Sequence, residues 1–335
     1  MPGRAGGQPG ALSLHVVDVG QGDAILIESP TGKRVLVDGG PPAGAGQLLL
    51  TLRRLGADSL DLVLLTHPHL DHLGGLIQVV RTLPVRLYMD SAFPYPSPAY
   101  TDLLRALRDR GVPVRRAEAG RRIELGDGAT LTLLAPPQPF LMHTRSDVNA
   151  NSVVARLDWR QVSALLTGDA EPETEALLLR QGAPLAAGVL KVPHHGGRFS
   201  STTAFLRAVR PQIALISVGA GNDYGHPTAE ALARLEACGA RIFRTDLHGT
   251  ITVRSPDGTQ WIASTASAEA SRPEASRRAV PSPPSGPVLG SRRSEVFHRP
   301  DCPAVAKIHP TNLLRFNSRD QALARGRRPA ADCHP

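Results

Sequence analysis

Cysteine, methionine and aromatic residues are scarce in this 335-residue chain, which has three Cys, three Met and only 4% Phe, Trp and Tyr. The cysteines, Cys238, Cys302 and Cys333, are too few and too unevenly spaced for a disulfide framework, which excludes a small stapled secreted domain and points to a reducing or indifferent compartment. Long hydrophobic runs are also missing. The longest, such as Leu62 to Leu65 and Ile213 to Ile216, fall far short of the ~20 residues needed to cross a bilayer, so no membrane span is expected. Residues 1–10 contain no apolar stretch of the secretory kind, so the chain reads as soluble and cytoplasmic as encoded, and export would require a different start.

What is present is ordinary globular material, 41% hydrophobic and 20% charged, in a chain long enough for one large domain and a small one. The net charge is +8, and most of it falls after residue 265. A basic end suits a polyanion such as nucleic acid, and it equally suits a solubilising tail.

Residues 11–264 alternate short β-branched or apolar runs with helical patterns, as an α/β domain does. Strands are expected at Leu12 to Asp18, Ala24 to Glu28, Arg34 to Asp38, Leu60 to Thr66, Val162 to Thr167, Val189 to Val192 and Ile213 to Val218. Helices are expected at Gln47 to Leu55, Gly74 to Leu83, Pro172 to Arg180 and Thr228 to Cys238. This order fits two mixed sheets flanked by helices, with the active groups at one sheet edge. Residues 265–290, rich in Ser, Pro, Ala and Arg, read as a linker, and 291–335 as a small module near the size at which a metal or partner must supplement the core.

The strongest chemical signal is Thr66-His67-Pro68-His69-Leu70-Asp71-His72, between a buried strand and Gly74-Gly75. Side chains two apart in an extended segment point the same way, so His67 and His69 can share one ion, while Asp71 and His72 turn towards a second. Three other strands end in similar chemistry: Asp38 after Val37, Asp169 after Gly168, and His194 and His195 after Pro193. Ligands anchored at strand ends are held within the tolerance a metal requires.

These residues, together with Val17-Asp18-Val19-Gly20-Gln21-Gly22-Asp23-Ala24 and Gly225-His226-Pro227, resemble the metallo-β-lactamase superfamily and, more narrowly, the hydrolase domain of the ComEC/Rec2 competence proteins over about residues 12–260. The resemblance implies an αββα sandwich, two divalent metal ions and nuclease activity on DNA. It also implies that Asp38 orients a ligand and that His226 contacts substrate or donates a proton. Where most of the superfamily has a further metal-binding histidine, Asn149-Ala150-Asn151-Ser152 offers an amide and a hydroxyl, as the competence branch does.

The expected metal ligands are therefore His67, His69, Asp71, His72, Asp169, His194 and His195, with Asp71, Asp38 and His226 as catalytic candidates. Asn151, Ser152, Lys191 and Asn222 are the candidate substrate contacts. Zinc suits the imidazoles and manganese a more oxygen-rich set. DNA is the expected partner, and no protein partner is specified. Two rivals stand beside a DNase: a metallo-hydrolase of a small ester, lactone, β-lactam or cyclic phosphate, and a non-catalytic, metal-stabilised DNA-binding accessory. At the C-terminal end, Val296 to Cys302 and the residues after it resemble an Ada-like zinc-binding module. Ala330 replaces one of its usual cysteines, which leaves His298, Cys302, Cys333 and His334 to hold a structural zinc.

Overall fold

The computed structural model describes residues 10–265, 287–292, 294, 296–298, 300, 302–317, 321–322, 325 and 327–329. The chain divides into two compact units at Ser271/Arg272, a boundary inside the stretch read as a linker. Most of that stretch, together with Cys333 and His334, lies outside the described residues.

In the first unit the elements run β1 (Leu12–Val16), β2 (Ile25–Glu28), β3 (Arg34–Val37), α1 (Ala45–Arg54), β4 (Leu62–Leu65), α2 (Leu70–Thr82), β5 (Tyr88–Asp90), α3 (Pro98–Asp109) and β6 (Val114–Arg116). They continue with β7 (Arg122–Gly126), β8 (Ala129–Ala135), α4 (Asp147–Ala150), β9 (Val154–Trp159), β10 (Val162–Leu166), α5 (Pro172–Arg180), β11 (Val189–Lys191), α6 (Thr203–Val209) and β12 (Ile213–Ile216). The unit closes with α7 (Ala229–Ala237), β13 (Arg241–Arg244), α8 (Thr245–His248), β14 (Ile251–Ser255) and β15 (Ile262–Thr265). One sheet has the order β15-β14-β1-β2-β3-β4-β5-β6 and the other β13-β12-β11-β10-β9-β8-β7.

Period-two alternation makes this a four-layer sandwich. Leu62 and Leu64 of β4, Ala164 and Leu166 of β10, and Ile213 and Leu215 of β12 share the core between the sheets. Their alternates face outwards: Val63 and Leu65 pack with Leu48, Leu76 and Leu103 of α1, α2 and α3. Leu165, Ala214 and Ile216 pack with Leu178, Phe205 and Leu235 of α5, α6 and α7. Strands apolar on both faces could not have stayed in a two-layer fold with one face in water.

The strands β3, β4 and β5 are mutually parallel, as are β10, β11 and β12. Their carboxyl ends carry Asp38, Thr66 and Asp90 on one side and Thr167, Val192 and Ser217 on the other. Chemistry placed just after those ends gathers at the sheet edge.

The second unit holds a four-stranded sheet, with β16 (Val288–Ser291), β17 (Val296–His298), β18 (Leu313–Phe316) and β19 (Arg328–Pro329) in the order β18-β16-β17-β19. Its described core is small: Val288, Phe297, Phe316 and Ala322. Cys302 is buried, and its Sγ lies 3.5 Å from His298 Nδ1. This brings together the two described members of the expected zinc set.

Candidate metal centre

The first cluster is built differently from its sequence reading. The helix expected from Gly74 begins at Leu70, because His69 is its N-cap and the amides of His72 and Leu73 bond the His69 carbonyl at 3.1 and 2.9 Å. Asp71 and His72 therefore sit in the first helical turn, where an acidic side chain also favours the helix dipole. Gly74 and Gly75 do not start α2; they let it lie against the 39–42 loop, where a Cβ on Gly75 would overlap the Gly39 carbonyl oxygen. Gly22 has φ +136°, and a Cβ there would overlap the carbonyl of Asp71.

Asp38, fully buried with φ 59°, accepts hydrogen bonds from Thr66 N (2.7 Å), Thr66 Oγ1 (2.7 Å) and His72 Nδ1 (2.8 Å). Its carboxylate holds a proton on His72 Nδ1, so Nε2 is the nitrogen that can give its proton up and offer a lone pair to a cation. His194 and His195 also adopt left-handed backbone, φ 52° and 53°. Each costs on the order of 1 kcal/mol, strain of a kind that concentrates at functional sites.

Ligand atoms of Asp71, His72, Asp169 and His195 all lie within 4.8 Å of one another. His72 Nε2 is 3.3 Å from Asp169 Oδ1 and 3.8 Å from Asp71 Oδ2, while His195 Nε2 is 3.5 and 3.4 Å from the same two atoms. His72 Nε2, His195 Nε2 and Asp169 Oδ1 are buried without a hydrogen-bond partner. Three orphaned donors facing one point are costly unless something binds them, and two imidazoles with two carboxylates form a donor set that fits a divalent cation.

On the other side of the same carboxylate, Asp169 Oδ2 has His67 Nε2 at 3.8 Å and His194 Nε2 at 3.9 Å, and His69 Nδ1 lies 3.0 Å from His67 Nε2. His194 Nδ1 is held by Glu171 Oε1 at 3.0 Å, and His195 Nδ1 donates to the Ser217 carbonyl at 2.8 Å. Asp169 thus stands between two groups of imidazoles, a position from which one carboxylate can serve two ions.

The electrostatics follow this layout. Burial pushes the His67 and His69 imidazoles down and keeps them neutral. Burial also opposes charge on His195, but Asp169 and Asp23 outweigh it and raise the imidazole to about 10. His72 is likewise held well above its ordinary value by Asp169, Asp38 and Asp71 despite its burial. Burial raises Asp169, yet His195 and His72 overcome it and hold the carboxyl far below the usual range.

The four expected substrate contacts are corrected by the structure. Lys191 is fully buried, its ammonium paired with Asp23 and 3.4 Å from the Gly168 carbonyl, so it cannot reach a phosphate. Asn151 is buried and its side chain is used on Leu141 N, Leu141 O and Asp147 O. Ser152 Oγ accepts from Asp169 N at 3.3 Å and supports the turn rather than a ligand. Asn222 closes its own loop through Gly219 O, His226 O, Tyr224 N and His226 N. Asp38, counted among the catalytic candidates and expected by resemblance to orient a ligand, is wholly enclosed and reaches the cluster through His72, with Thr66 as its other partner.

The sequence reading missed Asp23, Glu171 and Asn149. Asp23 Oδ1 lies 3.4 Å from His195 Nδ1, and Asn149 offers a buried, unpartnered Oδ1 at the cluster in place of Asn151. Asn149 Nδ2 is 3.5 Å from Glu171 Oε1. Signals for two of them were present: Asp23 ends the Gly-Gln-Gly-Asp turn of the motif that carries the family resemblance, and Asn149 opens the stretch that replaces the usual further histidine, whereas Glu171 offered only its position two residues after Asp169.

Above the cluster opens a groove of about 340 Å³, lined by His69, Asp71, Asn149, His194, Tyr224 and His226 among others. His226 is half-buried with Nδ1 unpartnered. Burial and the neighbouring His194 and His195 charges push its imidazole down to about 4, so it is neutral at pH 7.

Residues 17–220 match the metallo-beta-lactamase superfamily. The chain belongs to this superfamily. Among curated proteins, ComE operon protein 3 of Bacillus subtilis (strain 168) is 31% identical over 259 residues, 72% of this chain and 33% of that protein. Competence protein ComA of Neisseria gonorrhoeae is 31% identical over 71% of this chain and 32% of its own length. Recombination protein 2 of Haemophilus influenzae is 31% identical over 72% of this chain and 28% of its own. The chain spans about a third of the length of the curated relatives it matches. Among the described residues of this superfamily member, no helix is long and apolar enough to cross a membrane.

Proposed function

We propose that the protein hydrolyses phosphodiester bonds of DNA with two divalent cations, zinc or manganese, held around Asp169. The observation that carries this reading is the convergence of His72 Nε2, His195 Nε2 and Asp169 Oδ1, all buried and unpartnered, beneath an open groove. Similarity to relatives named for competence and recombination supports DNA as the substrate.

One ion would be held by Asp71, His72, Asp169 and His195, the other by His67, His69, Asp169 and His194. Bound there, the pair supplies Lewis acidity, which offsets charge on a phosphoryl group and acidifies water. The chain's own residues do the rest. Asp38, Glu171 and the Ser217 carbonyl keep the protons of His72, His194 and His195 on Nδ1, so each Nε2 remains a donor atom. Asp38 is accordingly a positioning residue. Asp71, with its side chain 30% exposed, presents a carboxylate oxygen to a water entering the groove. Neutral His226 offers an N–H to a phosphoryl or leaving oxygen rather than acting as an imidazolium.

The test is cleavage of linear DNA and of bis(4-nitrophenyl) phosphate with Mn²⁺ or Zn²⁺, by the wild type, His69→Ala and Asp169→Ala. The wild type should cut both and the variants neither. Equal activity in all three, or cleavage by the wild type of lactones or β-lactams in place of phosphodiesters, overturns the reading.

A further inference from the structure

A second cavity, about 440 Å³, adjoins the metal groove and shares His194, Tyr224 and His226 with it. Arg145, Glu171, Arg198 and Phe199 also line it, the Glu171 carboxylate being engaged by His194 Nδ1 at 3.0 Å. Two of its rings face solvent in a chain with few aromatics: Phe199 is 49% exposed and Tyr224 68%. Rings left in water forgo the burial that usually stabilises them, and grouped beside a reactive centre they form a surface for something planar.

The rings are ordered. His226 stands edge-on to the candidate ligand His194, with centroids 5.5 Å apart, and Tyr224 stacks on His226 at 5.9 Å and 27°. This ladder runs outward from the cluster. In the same cavity lining the Arg145 guanidinium lies 3.6 Å over the Phe199 ring. Arg198 is engaged by Glu230 at 2.6 Å, whereas Arg145 has no ion-pair partner among the described residues. A guanidinium over an aromatic face and without an ion-pair partner has donors left for phosphate.

We propose that Arg145, Phe199 and Tyr224 form a subsite for a single-stranded polynucleotide, seating the nucleotide next to the phosphate held at the metal centre. The inference rests on the phosphodiesterase reading and adds strand preference to it. The unpaired base stacks on the Phe199–Arg145 platform or on Tyr224, and Arg145 takes its phosphate. A duplex is discriminated against because its bases already stack on their neighbours and have no free face for a ring in a side wall.

The experiment measures KM and kcat on a fluorescent single-stranded oligonucleotide and on its duplex, for the wild type, Phe199→Ala, Arg145→Ala and Phe199→Trp. Each alanine should raise the single-strand KM about tenfold with kcat within about twofold, and Phe199→Trp should restore it. Arg145→Ala should also reduce the slope of log KM against log salt by about 0.7. Single-strand KM values unchanged in both alanine variants, or single-strand and duplex KM rising alike, overturn the subsite while DNA hydrolysis by the wild type stands. A wild type that cuts neither oligonucleotide nor bis(4-nitrophenyl) phosphate removes the phosphodiesterase reading, and the subsite falls with it.

Discussion

Replacing Lys191 by methionine separates a structural role from a substrate contact. The Lys191 ammonium and the Asp23 carboxylate are paired with side chains 0% and 1% exposed, so neither has water to fall back on. Methionine fills most of the same volume but leaves Asp23 as a buried carboxylate facing His195, 3.4 Å from its Oδ1, and His72, with the Asp38 carboxylate also close by. Breaking one half of a buried pair costs about 3–5 kcal/mol, and in a domain of this size each kcal/mol lowers the melting temperature by about 2–4 °C. The expected loss is therefore roughly 6–20 °C. Asp23→Asn alone should be of similar severity, since it strands the ammonium. The Asp23→Asn/Lys191→Met double variant should recover at least half of either loss, because no uncompensated charge remains. The assay is thermal unfolding by circular dichroism at pH 7 with an excess of chelator throughout, which keeps metal affinity out of the comparison. A Lys191→Met protein melting within about 2 °C of the wild type, or a double variant whose losses simply add, refutes this account. If Lys191 instead met phosphate, its loss would leave the melting temperature unchanged and raise KM.

Asp38→Asn places an amide where His72 Nδ1 finds its acceptor, shifts the imidazole proton towards Nε2, and should weaken metal binding about 10- to 100-fold in a competitive chelator titration; wild-type affinity would remove Asp38 from the ligand-positioning role. In the chelator-treated protein His195 titrates at about 10 and His72 is also raised, so both imidazoles carry protons at neutral pH. Their contribution to folding stability is complete below about 6.5 and is lost as pH rises through the raised values. A cation must displace these protons, so affinity should climb from pH 7 to 9 with measurable proton release, and calorimetry in buffers of different ionisation enthalpy that finds no proton release would contradict this arrangement.

What the residue order determined by itself was the chemistry and the layers. Uninterrupted apolar runs such as Val35-Leu36-Val37 and Leu62-Val63-Leu64-Leu65 demand strands buried on both faces, and placing His67, His69, Asp169 and His194 just past strand ends puts nitrogen and oxygen donors at one edge. These signals are local, because side-chain direction in a strand depends only on parity. The tertiary structure decided which polar groups are free. Lys191, Asn151 and Asn222 have the composition of substrate contacts, but their atoms are consumed by Asp23, Leu141 and the 219–226 loop, partners too distant in sequence or too dependent on loop geometry to be read from spacing. Conversely, Asp23, Glu171 and Asn149 became part of the site only when strands far apart in the chain brought them against His195, His194 and one another. Local pattern fixes where a donor emerges. Whether it meets water, a partner or an ion depends on what the rest of the chain packs against it.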